Sequence, residues 1–176
     1  MKPLLSKKTT NLLVMGNLLL FLAAAAWLTS ARESQLSTGR TLLLEVEPYG
    51  RRSPLNGNSM ILRYVMAREI EKRLLRDDDH GDGHAVISID ATDIGRLLRK
   101  HDGSALAANE YLLHYRLRSS SIDRVRVAPD FFSFQKGLEQ QYALATYAEL
   151  RLSEDGSTLL VGLRDAERKP ISTTRD

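Results

Sequence analysis

Two stretches of this chain carry residue types that could do chemistry. The first is Ser59-Met60, a serine at the entrance to an alternating apolar segment. Partnered by a lysine acting as base, such a serine becomes an acyl-transfer nucleophile. The lysines downstream are Lys72, Lys100, Lys136 and Lys169. None lies in an apolar strand that would lower its pKa enough to make it a base. The second stretch is Asp77-Asp78-Asp79-His80-Gly81-Asp82-Gly83-His84, rich in carboxylates and imidazoles. Read as a calcium loop from Asp78, it puts His80, Asp82 and Gly83 at the third, fifth and sixth positions. The twelfth position, which needs a bidentate Glu, is Ile89. Read as a zinc site, it pairs His80 with His84 but has no third nearby His or Cys. The run therefore reads first as a solvated, hairpin-like loop and second as a metal-binding sensor. His101 and His114 stand alone in sequence and read as surface or partly packed residues.

Other chemistries are excluded more firmly. The chain has no cysteine, which removes disulfides, thiolate zinc sites and cysteine nucleophiles. No glycine-rich phosphate loop, nucleophile elbow or His-Glu zinc motif occurs. The expectation is a protein without catalytic activity, cofactor or small-molecule substrate. At 176 residues, 43% hydrophobic and 27% charged, the chain has room for one domain with a modest core. Its net charge is +3, and the arginines are spread along the sequence rather than clustered, so nucleic acid is not an expected partner.

The amino-terminal region is organised by hydrophobicity. Residues 12–28 are almost continuously apolar, interrupted by Gly16 and Asn17, and Lys2, Lys7 and Lys8 precede them. A bilayer-spanning helix takes about 20 residues, and residues 11–30 supply that length. Trp27 falls at the far end, where an interfacial aromatic belongs. The positive flank predicts a cytoplasmic tail (residues 1–10), a single transmembrane anchor (11–30) and an exported remainder. Ala24-Ala25-Ala26 and Thr29-Ser30-Ala31 also offer small residues at signal-cleavage spacing. The anchor is the preferred reading because the apolar run exceeds the usual signal core of about 7–15 residues. The predicted location is the cell inner (cytoplasmic) membrane, crossed once, with the carboxy-terminal domain extracytoplasmic or periplasmic.

Residues 31–40 read as a linker and 41–171 as one β-rich domain, with a tail at 172–176. Within the domain, alternation predicts strands over 41–47, 60–67, 85–90, 111–119, 147–152 and 158–163. Residues 122–127 read as the hairpin partner of 111–119. Ile70, Leu74 and Leu75 suggest a short helix over 68–76, and Leu138, Tyr142 and Ala145 suggest another. Ile94, Leu97 and Leu98 share a helical face, so residues 92–100 read as a helical turn capped by Thr92 or Asp93. Asp155-Gly156 marks a tight hairpin turn. The fold class is mostly β with one or two short helices, either a small sandwich or a partly open barrel.

Two further stretches are specific. In Leu55-Asn56-Gly57-Asn58-Ser59-Met60-Ile61-Leu62-Arg63-Tyr64 a turn runs straight into a strand. Gly57 sits where positive φ is needed, and Met60, Leu62, Tyr64 and Met66 fall on one face. In Phe131-Phe132-Ser133-Phe134-Gln135-Lys136-Gly137 an aromatic strand ends at a glycine. Together these resemble the GDYXXLXY protein family. Gly57, Leu62 and Tyr64 match its fixed positions, whereas Asn58 and Ser59 stand where the family has Asp and Tyr. Phe134, Gln135 and Gly137 match its aromatic strand and Gln-Glu-Gly-type turn, with Lys136 in the place of the Glu.

The resemblance implies a membrane-anchored protein of no settled activity that accompanies polytopic membrane proteins. The signature residues Gly57, Asn58, Leu62, Tyr64, Phe134, Gln135 and Gly137 are then structural or form a docking surface. Ser59-Met60 after an anchor also resembles the start of signal peptidases, but the proline those enzymes carry two residues after the Met is absent, and the family's Tyr at this position cannot replace a serine nucleophile.

Overall fold

The computed structural model describes residues 15–22, 39–49, 59–76, 81–118 and 124–171. The chain divides into two units, Met1–Thr38 and Gly39–Asp176. In the first unit, residues 15–22 are helical (α1), and the apolar side chains of Leu18, Leu19, Leu20 and Phe21 are exposed. Among the described residues no helix is long and apolar enough to cross a membrane. The remainder of the expected span, residues 11–14 and 23–30, lies outside the described residues, as do Gly57, Asn58 and Asp77 to His80.

The second unit is mostly β. Its elements are β1 (Arg40–Tyr49), β2 (Ser59–Tyr64), α2 (Val65–Leu74), β3 (Gly83–Ile89), β4 (Gly95–Lys100), β5 (Glu110–Leu117), β6 (Val125–Arg126), β7 (Phe131–Ser133), α3 (Glu139–Tyr142), β8 (Tyr147–Leu152) and β9 (Thr158–Arg164). The strands form two sheets, ordered β7-β2-β1-β8-β9 and β4-β3-β5-β6, and all strand pairs within them are antiparallel.

Backbone hydrogen bonds join the sheets beside β1 and beside β5. Beside β1, the Leu43 amide donates to the Asp93 carbonyl at 2.7 Å, next to a parallel bridge between Leu43 and Ile94. Beside β5, the His114 amide donates to the carbonyl of Gly156 at 2.8 Å, at the β8–β9 turn. One core lies between them, drawn from alternate positions of both sheets. Leu42, Leu44 and Val46 of β1 meet Leu62 and Tyr64 of β2, Ile87 of β3, Leu113 and Tyr115 of β5, and Leu150 of β8. Each fully buried aliphatic side chain here contributes about 1.5–3 kcal/mol.

Two local expectations are corrected. The strand expected over residues 60–67 stops at Tyr64, and helix α2 begins at Val65. Met66 continues the strand's alternation, but it also begins a helical repeat, because Met66 and Ile70 are both buried and lie four residues apart. The helical turn expected over 92–100 is strand β4 preceded by a turn. There the Asp90 carboxylate accepts from the Thr92 amide at 2.8 Å, the Thr92 hydroxyl at 2.7 Å and the Ile94 amide at 3.1 Å. Asp93 takes φ +63, which no helix allows. Gly95 then enters the sheet where a Cβ would lie 2.6 Å from Leu42 Cδ1.

Candidate functional site

Strand β2 alternates in burial, so Met60, Leu62 and Tyr64 face the core while Ser59, Ile61 and Arg63 are less buried. The buried residues are anchored to the loop before β7. The Leu62 amide donates to the Asp130 carbonyl at 2.7 Å, and the Tyr64 hydroxyl donates to the Pro129 carbonyl at 2.8 Å. Burial pushes the Tyr64 phenol well above its ordinary pKa. The Asp130 carboxylate adds to the rise, and Arg126 opposes it. Tyr64 thus keeps its proton and serves as a neutral hydrogen-bond donor.

Asp130 also gathers cations. Its carboxylate lies 3.0 Å from Arg118 and 3.3 Å from Arg126, while the side chain is only 19% exposed. Beside it opens a cavity of about 220 Å³ lined by Ile61, Arg63, Tyr64, Ala67, Arg68 and Phe131, among others. Phe131 stands at its rim, 58% exposed.

The second specific stretch is built on the same edge. Strand β7 pairs with β2, setting Phe131 opposite Ile61, Phe132 opposite Met60 and Ser133 opposite Ser59. After β7 the chain turns at Gly137, whose φ of +96° favours glycine because a Cβ would be strained there. The Gln135 carbonyl accepts from the Leu138 amide at 3.3 Å, closing that turn. Phe134 then stacks on Tyr142, with ring centroids 4.9 Å apart, and Phe132 approaches the same ring at 5.1 Å and a tilt of 51°. Offset and tilted aromatic pairs of this kind are favourable. Lys136 is exposed.

The family model of the GDYXXLXY protein matches residues 21–163, most of the chain. The chain belongs to the GDYXXLXY protein family. No curated protein and no solved structure matches it. The two separated halves of the GDYXXLXY resemblance are carried by neighbouring strands: Leu62 and Tyr64 lie on β2, and Phe134, Gln135 and Gly137 follow its partner β7.

The other candidate chemistry is placed differently. The register sets Ser59 against Ser133 rather than against a lysine. His84 and His114, far apart in sequence, are directly opposed on β3 and β5 with ring centroids 5.0 Å apart. His114 is therefore not the isolated residue its sequence position suggests. The Asp82 carboxylate is 3.8 Å from its Nε2. Among the described residues no group of three or more His, Asp or Glu side chains is arranged to hold a metal ion. Sequence reasoning assigned no role to Pro129 or Asp130. Nothing in local composition marks them, because their importance lies in contacts with distant residues.

Proposed function

We propose that the chain is a membrane-tethered, extracytoplasmic accessory module that works without catalysis. It docks on a polytopic membrane protein through the β2–β7 edge of its domain. The observation that carries this reading is Phe131, a large aromatic side chain 58% exposed on β7, whereas Phe132 beside it and Phe134 just after the strand are tucked against Tyr142. It borders a cavity lined by Arg63, Arg68 and Arg118 together with Glu71 and Asp130, so an apolar anchor stands beside charged groups of both signs, a combination suited to a protein partner. Strand β7 is also at the end of its sheet, and such strands can pair with an added strand. The apolar segment at residues 12–28 supports a single-pass anchor in the inner membrane with this domain on the periplasmic side.

Chemical crosslinking in intact cells, followed by purification in mild detergent, tests the proposal. The expected result is a crosslinked polytopic membrane protein that is lost when Phe131 is replaced by Glu. Recovery of the intact chain alone, with efficient crosslinking of a control pair, would count against it.

A further inference from the structure

Next to the Pro129–Asp130 loop, the outward face of the β5–β6 hairpin carries several basic side chains. Leu113 and Tyr115 point into the core, so His114, Arg116 and Arg118 occupy the other face. Arg126 on β6 is directly opposite Arg116. Like charges opposed across a β pair are unfavourable, so this pairing needs anionic compensation.

Carboxylates hold both arginines from one side. The Arg116 Nε faces Asp82 at 3.8 Å, and the Arg126 Nε faces Asp130 at 3.3 Å while also donating to the Ala128 carbonyl at 3.3 Å. In each of these contacts the approach is through Nε, so the carboxylates orient each guanidinium from that side. The two arginines line a cavity of about 220 Å³ together with His114, Val127, Ala128, Pro129, Ser157 and Thr158. No carboxylate belongs to that lining. Asp82 and Asp130 lie outside it, and the Asp155 carboxylate is turned onto the Ser157 amide and hydroxyl.

We propose that this cavity binds a phosphate group, either free or carried by a phospholipid headgroup. Guanidinium forks from two opposite strands can engage different oxygens of one tetrahedral anion, whereas a carboxylate fills only one such fork. The Val127–Pro129 wall leaves an apolar side for the group that carries the phosphate.

The test is calorimetry on the purified full chain in detergent, with inorganic phosphate in one arm and water-soluble dihexanoyl phosphatidylglycerol in the other. Saturable binding is expected in at least one arm, weakened by about tenfold or more in Arg116→Gln. Arg116 is 67% exposed, so this variant should melt as the parent does. Arg126→Gln should weaken binding similarly. Binding of inorganic phosphate identifies a soluble source, and binding of the lipid alone identifies the headgroup. Absence of saturable binding in both arms, or affinity unchanged in both variants, would overturn the proposal.

Discussion

The hydroxyl of Tyr64 donates to the carbonyl of Pro129 at 2.8 Å, across 65 residues of chain. This bond fastens the end of β2 to the loop that leads into β7. Tyr64→Phe removes the donor and leaves a part-buried carbonyl unpaired, at a cost of about 1–3 kcal/mol. Tyr64→Ala also removes the buried ring and should cost about 3–5 kcal/mol. Denaturant unfolding of the two variants should give that order.

The same phenol predicts an alkaline sensitivity. Its folded pKa is raised by burial first and by Asp130 second, so the native state keeps its proton where the unfolded state loses it. The stabilising contribution is therefore complete below the unfolded value near 10 and declines as pH rises above it, continuing until the folded pKa is passed. Melting temperature should fall more steeply for the parent than for Tyr64→Phe above about pH 10. Parallel slopes would show that Tyr64 ionises equally in both states.

Three turns share one acid-sensitive device. Asp90, Asp102 and Asp155 each accept from the amide and hydroxyl of the Thr or Ser two residues on. The hydroxyl bond is the main cause of the lowered pKa for Asp90 and Asp102, and the amide bond for Asp155. A depressed folded pKa stabilises the native state above the unfolded value near 3.9 and loses that contribution as pH falls through the folded value. Carboxyl carbon NMR should show all three titrating below an ordinary aspartate. Thr92→Ala should return Asp90 toward the ordinary range without moving Asp102.

Much of this fold was legible because burial follows simple periods. The alternation of Leu42, Leu44 and Val46 and of Tyr147 to Leu152 marks strands whose inward residues the core then absorbs. Where two periods coincide, the sequence misleads. Met66 satisfies both the strand spacing from Met60 and the helical spacing to Ile70, so the change to helix at Val65 is invisible locally. Leu97 and Leu98 look like one helical face, but β4 turns Leu97 inward and leaves Leu98 40% exposed. The deciding influence is long-range, since Gly95 must pass close to Leu42 and Leu44. The site was legible only in halves. Local sequence cannot state that β7 pairs with β2, that the Pro129 carbonyl accepts a hydrogen bond from the Tyr64 hydroxyl, or that His84 faces His114.

Gly137 offers a backbone test of the second half. Its φ of +96° lies where a β-branched residue is strained, so Gly137→Val should cost about 1–3 kcal/mol. Phe134 and Leu138 flank that turn, so the loss should come with changed Phe134–Tyr142 ring contacts in aromatic NMR spectra. A variant that melts normally would mean the turn readily adopts another geometry.

Phe131 and Phe134 separate docking from folding within a single motif. Phe134 stacks on Tyr142 at 4.9 Å, and Tyr142 is buried in the core. Phe134→Ala should therefore destabilise the domain, with an upper range of about 3–5 kcal/mol for a fully buried ring and less here because Phe134 is only partly buried. Phe131 is 58% exposed at the rim of the arginine-lined cavity, so its truncation opens no internal void. Phe131→Ala should stay within about 0.5 kcal/mol of the parent, as surface substitutions do. Crosslinking in cells should reverse the contrast. Phe131→Ala should lose the partner while the protein accumulates normally, and Phe134→Ala should lose it only in proportion to lost folded protein. If Phe131→Ala both melts and crosslinks like the parent, the exposed ring is not the anchor of the interface, and docking through the β2–β7 edge is excluded at that point.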